Sequence, residues 1–114
     1  MSMQQMLLGV GAVATKTYVD DVFSTFVYAG TGSARSINNG IDLSGEGGLV
    51  WVKRRNQAES HIIVDTERGG ANWIASNESD GSNSGAGITS FNSTGFSLDT
   101  FNHINGNGHT YASW

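Results

Sequence analysis

Gly48-Leu49-Val50-Trp51-Val52-Lys53-Arg54-Arg55 is the most strand-like run in the chain. It follows the glycine-rich break Ser44-Gly45-Glu46-Gly47-Gly48 and ends on three consecutive cations. Side chains alternate across a strand, so Leu49, Trp51 and Lys53 share one face and Val50 and Val52 the other. Both faces are apolar near the centre, which predicts a central strand covered on both sides. Ser60-His61-Ile62-Ile63-Val64-Asp65 lies across the polar loop Asn56-Gln57-Ala58-Glu59 and reads as its return strand.

Working outward, further short strands are expected at Thr25–Ala29, Ala34–Ile37, Asn72–Ser76, Ile88–Phe91, Phe96–Leu98 and from Thr110 onward. Asn38-Asn39-Gly40 is a turn, because Asn and Gly tolerate positive φ. Asn92-Ser93-Thr94-Gly95 closes a hairpin. Glu78 to Gly87 reads as a low-complexity loop that buries nothing, and Asn102 to Gly108 as a polar loop. Thr15 to Phe23 is the one helical segment: Tyr18, Val19, Val22, Phe23 and Phe26 recur at spacings of three and four, with Thr17 and Asp20 as a loose capping pair.

Composition agrees with an all-β class. The 114 residues suffice for one domain. Glycine is abundant at 16 residues, proline is absent, and charged residues make up 14%, against about 25% in an ordinary soluble protein. Three Trp, three Tyr and five Phe, mostly inside apolar runs, argue against disorder. The net charge of −4 and a single cationic cluster, Lys53-Arg54-Arg55, argue against a nucleic-acid partner. There is no cysteine, hence no disulfide framework or thiolate chemistry. No run approaches the roughly 18 apolar residues of a membrane span, and no membrane insertion is expected. Met6 to Ala14 is apolar but lacks the cationic lead of a signal peptide.

Residues 1–23 are therefore read as an N-terminal docking arm with a short helix, and 24–114 as the β domain. In the arm, Met3, Met6, Leu7, Leu8, Val10 and Val13 are the residues expected to dock into a neighbouring protein, because a small β domain has little surface on which to hide them. The final Tyr111-Ala112-Ser113-Trp114 is strand-like, and the chain is expected to be the N-terminal part of a longer one.

No reacting constellation emerges. His103 and His109 lie six apart in a Gly/Asn loop, without the tight pairing or partners of a zinc site, and read as solvated loop histidines. No Gly-x-Ser-x-Gly elbow is present. Asp65 and Glu67 read as charge balance for Arg54, Arg55 and Arg68 rather than as a glycosidase pair. Asp80 with Asn77, Asn83 and Asp99 supplies oxygen ligands, but at no calcium-loop spacing. Trp51, Trp73 and Trp114 read as core or interface anchors. No enzymatic activity, metal or cofactor is expected.

Ser24 to Trp114 resembles a module that recurs in virion-associated proteins of tailed phages, notably those infecting marine bacteria. The resemblance rests on Phe26-Val27-Tyr28-Ala29-Gly30-Thr31-Gly32-Ser33 and on Asn39-Gly40-Ile41-Asp42-Leu43-Ser44-Gly45-Glu46-Gly47-Gly48-Leu49-Val50-Trp51-Val52-Lys53. It continues through Asp65-Thr66-Glu67-Arg68-Gly69, Thr89-Ser90-Phe91-Asn92-Ser93-Thr94-Gly95-Phe96 and Tyr111-Ala112-Ser113-Trp114. It implies a jelly-roll β-sandwich of the concanavalin or laminin-G kind, preceded by the extended arm. It also implies a tail-fibre or appendage protein of the virion tail that joins other tail or baseplate proteins, usually as a homotrimer, and supports host attachment. The alternative it offers is a lectin-like module contacting host surface glycan, with Trp73, Asn77 and Asp80 as contact residues. The sequence lacks the dense Asp cluster such lectins use for calcium and sugar.

Overall fold

The computed structural model describes residues 16–114. The docking residues Met3, Met6, Leu7, Leu8, Val10 and Val13 lie outside the described residues. The described chain is all-β with two short helical turns. In chain order it runs α1 (Val19–Val22), β1 (Phe26–Ala29), β2 (Arg35–Asn38), β3 (Leu49–Arg54), β4 (Ile62–Asp65), β5 (Asn72–Ala75), β6 (Asn83–Ser84), β7 (Ile88–Asn92), β8 (Gly95–Leu98), α2 (Asn102–Asn105) and β9 (Thr110–Ser113).

Two antiparallel sheets form, one of six strands in the order β1-β9-β3-β4-β5-β6 and one of three in the order β2-β8-β7. β3 pairs with β4 through Val50↔Val64 and Val52↔Ile62, as the alternation predicts. β9 is inserted between β1 and β3, through Phe26↔Ser113 and Val52↔Ser113. The inner faces meet in one core. The large sheet contributes Tyr28, Val50, Val52, Ile62, Val64 and Tyr111, and the small sheet Ile37, Ile88, Phe96 and Leu98. Every residue of that core lies between Tyr28 and Tyr111, so it closes without the residues before β1.

Several expectations are corrected. The helix is a single turn, because an Asp21 carboxylate oxygen accepts from the Tyr18 amide at 2.8 Å and fixes the cap one residue later than Thr17. Its apolar residues do not enter the core: Tyr18, Val19, Val22 and Phe23 are all more than half exposed. β3 is central, but only its inner face is fully covered, and Leu49 on the other face is 53% exposed. The segment 78–87 does bury something, since Ala86 is fully enclosed and β6 pairs with β5. The polar segment 102–108 folds into α2 and buries Ile104 and Asn105 completely.

Candidate functional site

The two ends of β3 have opposite character. At the Arg54 end, the loops knit themselves together. Asn105, fully buried, donates to the carbonyls of Ser33 and Asp99 at 2.7 Å each and accepts from the Thr31 amide at 3.1 Å. The Tyr111 hydroxyl donates to Asn102 O and accepts from the Gly106 amide, both at 2.8 Å. Tyr28 donates to Ile104 O at 2.8 Å, and burial pushes its phenol far above the ordinary tyrosine range, with Tyr111 adding to the rise and Arg35 opposing it. Arg54, 4% exposed, donates to Asn102 O at 2.6 Å and to Gln57 Oε1 at 3.1 Å. Its guanidinium pairs with Glu59 at 3.3 Å and lies over the Tyr111 ring.

At the Leu49 end lies a groove of about 530 Å³, a volume in the range that holds a bound ligand or peptide segment. Two local structures build it. On one side, the chain between β2 and β3 folds on its own side chains. Asn39 Oδ1 accepts from the Ile41 amide at 3.0 Å, and Asp42 Oδ1 accepts from Ser44 N at 3.0 Å, Ser44 Oγ at 2.8 Å and Gly45 N at 3.0 Å. Those bonds, the Ser44 hydroxyl first, hold the exposed Asp42 carboxyl below its usual range, so it stays ionised at neutral pH. Gly47 turns at φ +98°, and a side chain at Gly48 would strike Leu43. Ile41 and Leu43 are thereby dropped into the core, leaving the Gly45–Gly48 backbone on the groove wall. On the other side stand Val22, Phe23 and Ser24, and Trp114 closes the head.

The rim is apolar and acidic. Among the described residues the exposed large hydrophobic side chains are Tyr18, Val19, Val22, Phe23, Val27, Leu49 and Trp114. Val22, Phe23, Leu49 and Trp114 line the groove itself, Tyr18 and Val19 belong to the same turn as Val22, and Val27 follows in β1. Trp114 packs on Trp51 at 5.6 Å, which extends the apolar surface along the outer face of the large sheet. Asp21, Asp42 and Glu46 are the charged lining residues, with no cation among them. A second depression of about 570 Å³ shares Glu46, Gly47 and Gly48 with the groove.

Of the glycan-contact candidates, Trp73 lies in β5 and Asn77 and Asp80 in the exposed segment after it. Trp73 packs against the core, donates to Ser84 O at 3.2 Å and meets Phe101 and His103. Asn77 accepts from the His61 amide at 2.9 Å. Asp80 is exposed, with no hydrogen bond or ion pair to another described residue. His103 is not a free loop histidine: it stacks on Phe101 at 4.9 Å, with Nδ1 3.3 Å from Glu59 but off-axis for a hydrogen bond. Asp65 pairs with Arg68 at 2.8 Å, while Arg54 takes Glu59 instead. Among the described residues no three His, Asp or Glu side chains are placed to share a metal ion. No described helix is long and apolar enough to cross a membrane.

Sequence reasoning put Tyr18, Val19, Val22, Phe23 and Phe26 on one helical face, but the helix spans only Val19–Val22 and Phe26 lies in β1. The groove that Val22 and Phe23 line was not foreseen, because it gathers residues of positions 21–24, 39–49 and 114.

The chain belongs to a family defined as a domain of unknown function, DUF7483, whose model matches residues 19–114. No curated protein and no solved structure matches it.

Proposed function

We propose that this DUF7483 chain is a structural subunit of a tailed-phage virion, a tail-fibre or appendage protein. Its N-terminal arm attaches to tail or baseplate proteins, its β domain forms a jelly-roll collar that assembles as a homotrimer, and the assembly supports host adsorption. The sequence resemblance supplies the virion setting. One structural observation carries the assembly part: among the described residues, the exposed hydrophobics Val22, Phe23, Leu49 and Trp114 line one groove. Apolar surface gathered in this way marks a surface made to be covered. At the other end of β3, Asn105, Tyr111, Tyr28 and Arg54 bond to main-chain groups of the same chain.

The reading is tested by deleting Met1–Ala14. The core lies wholly between Tyr28 and Tyr111, so the truncated domain is expected to stay folded, with its denaturation midpoint little changed, and to be lost from purified particles. Particles that incorporate the truncated chain at the normal level would overturn it.

A further inference from the structure

The large sheet has a second face, turned away from the core. Val50, Val52 and Arg54 are the buried positions of β3, so Leu49, Trp51 and Lys53 alternate onto the outer face. There Trp51 stands opposite Ile63 of β4, and Ile63 opposite Ile74 of β5. The three side chains form one apolar row across three strands, running at right angles to them. None of the three belongs to the core, and each is only part-buried.

Charge is divided by that row. On one side Leu49 stands opposite Asp65, and the pairing runs on through the Thr66 amide, which donates to Gly48 O at 3.0 Å. Glu46 and Glu67 lie just beyond and line one depression with Asp65 and Arg68. Arg68 is taken by Asp65 at 2.8 Å, whereas Glu46 and Glu67 have no ion pair among the described residues. On the other side of the row stands Lys53, and two positions further Arg55, whose amide donates to Thr110 O at 2.7 Å. Arg55 is exposed, and neither it nor Lys53 has a carboxylate partner among the described residues. Arg54, between them, points inward and pairs with Glu59.

We propose that this outer face pairs with the same face of a second copy of the chain, about a two-fold axis running along the Trp51–Ile63–Ile74 row. Charge complementarity selects the occupant. The face is apolar on the row, cationic on one side of it and acidic on the other. A half-turn about the row lays each apolar residue on its equivalent and reverses the strands. Lys53 then lies over the Leu49–Asp65 pair of the second copy, and Arg55 over the turns that hold its Glu46 and Glu67. The same contacts recur in the opposite sense, as a two-fold interface requires. The other two-fold that stacks these faces, parallel to the strands, sets cations on cations and carboxylates on carboxylates, which costs free energy. Stacked sheets lie about 10 Å apart with their strands within about 30° of each other, a separation that Lys and Arg stems span. The result is an apolar centre with a charged rim. This contact lies outside the groove and goes beyond the tail-subunit reading. Being two-fold, it links copies of neighbouring trimers rather than closing one.

The test is sedimentation of the full chain. The native chain is expected to associate reversibly into even-numbered species, less so as salt is added. Lys53→Glu with Arg55→Glu makes both sides of the row acidic, and Glu46→Lys with Glu67→Lys makes both sides basic. All four positions lie outside the buried core, so each variant is expected to keep the native circular dichroism spectrum. Each is expected to associate at least roughly tenfold more weakly than the native chain. Mixing the two restores association, because an acidic face then meets a basic one in both halves of the interface. Ile63→Cys gives an independent readout, since it sets a thiol beside the axis in a chain that has no other cysteine. It is expected to join copies through a short bismaleimide, the sheet spacing being beyond the reach of a disulfide. A native chain that stays monomeric, association indifferent to both charge reversals, a mixture no stronger than its components, or an associated sample that does not cross-link overturns the pairing. An odd-numbered assembly indifferent to both reversals would leave the trimer reading standing and remove this contact alone.

Discussion

β3 joins two regions that solve the same problem differently. Its Leu49 and Arg54 ends are the two ends of a six-residue strand, about 17 Å apart along extended chain. At the first, strand ends and loops would leave polar groups stranded, and the chain supplies its own partners. Asn105, Tyr111, Tyr28 and Arg54 reach across from β1, β3, β9 and α2 to carbonyls and amides of the surrounding loops. Three nitrogens there, Arg54 Nε, His103 Nδ1 and His109 Nδ1, have no hydrogen-bond partner among the described residues. At the second end, the apolar side chains of Val22, Phe23, Leu49 and Trp114 crowd one groove. Apolar surface gathered at one end of a strand, opposite an end held by its own polar links, marks the apolar end for a partner.

Perturbing the closed end has the largest expected effect. Asn105→Ala removes a fully buried side chain and its part-buried bonds to three main-chain groups, on Thr31, Ser33 and Asp99. A loss of about 3 kcal/mol in chemical denaturation is expected. A loss below about 1 kcal/mol would mean that this end is not held by its polar links. At the apolar end, Phe23→Ser is expected to change stability by no more than about 0.5 kcal/mol, because the ring is 52% exposed. The same exchange should weaken particle incorporation. If Phe23→Ser destabilised the domain as much as Asn105→Ala, the distinction between the two ends would fail.

How much of this was legible in the sequence follows from what each feature depends on. β3 and β4 were readable because alternation fixes both burial and register: Val50, Val52, Ile62 and Val64 face the core as their positions require. The β7–β8 hairpin was readable because Asn92 to Gly95 has turn chemistry. The closed end was not, since several of its links join residues more than seventy positions apart, and a run such as Asn102-His103-Ile104-Asn105-Gly106-Asn107-Gly108 looks like any polar loop. Ala86 was missed for the same reason, lying in a stretch whose neighbours are all small and polar. For the groove, sequence gave its apolar residues but not their gathering. That gathering depends on bringing together positions 21–24, 39–49 and 114, which are far apart in the chain.

The central claim is that the Leu49 end carries the surface through which the chain joins its assembly. Leu49→Ser tests it most directly, because Leu49 is 53% exposed and lies outside the buried core. The variant is expected to stay folded, with its stability changed by no more than about 0.5 kcal/mol, and to be depleted from purified particles. A folded variant that enters particles at the normal level would contradict the account.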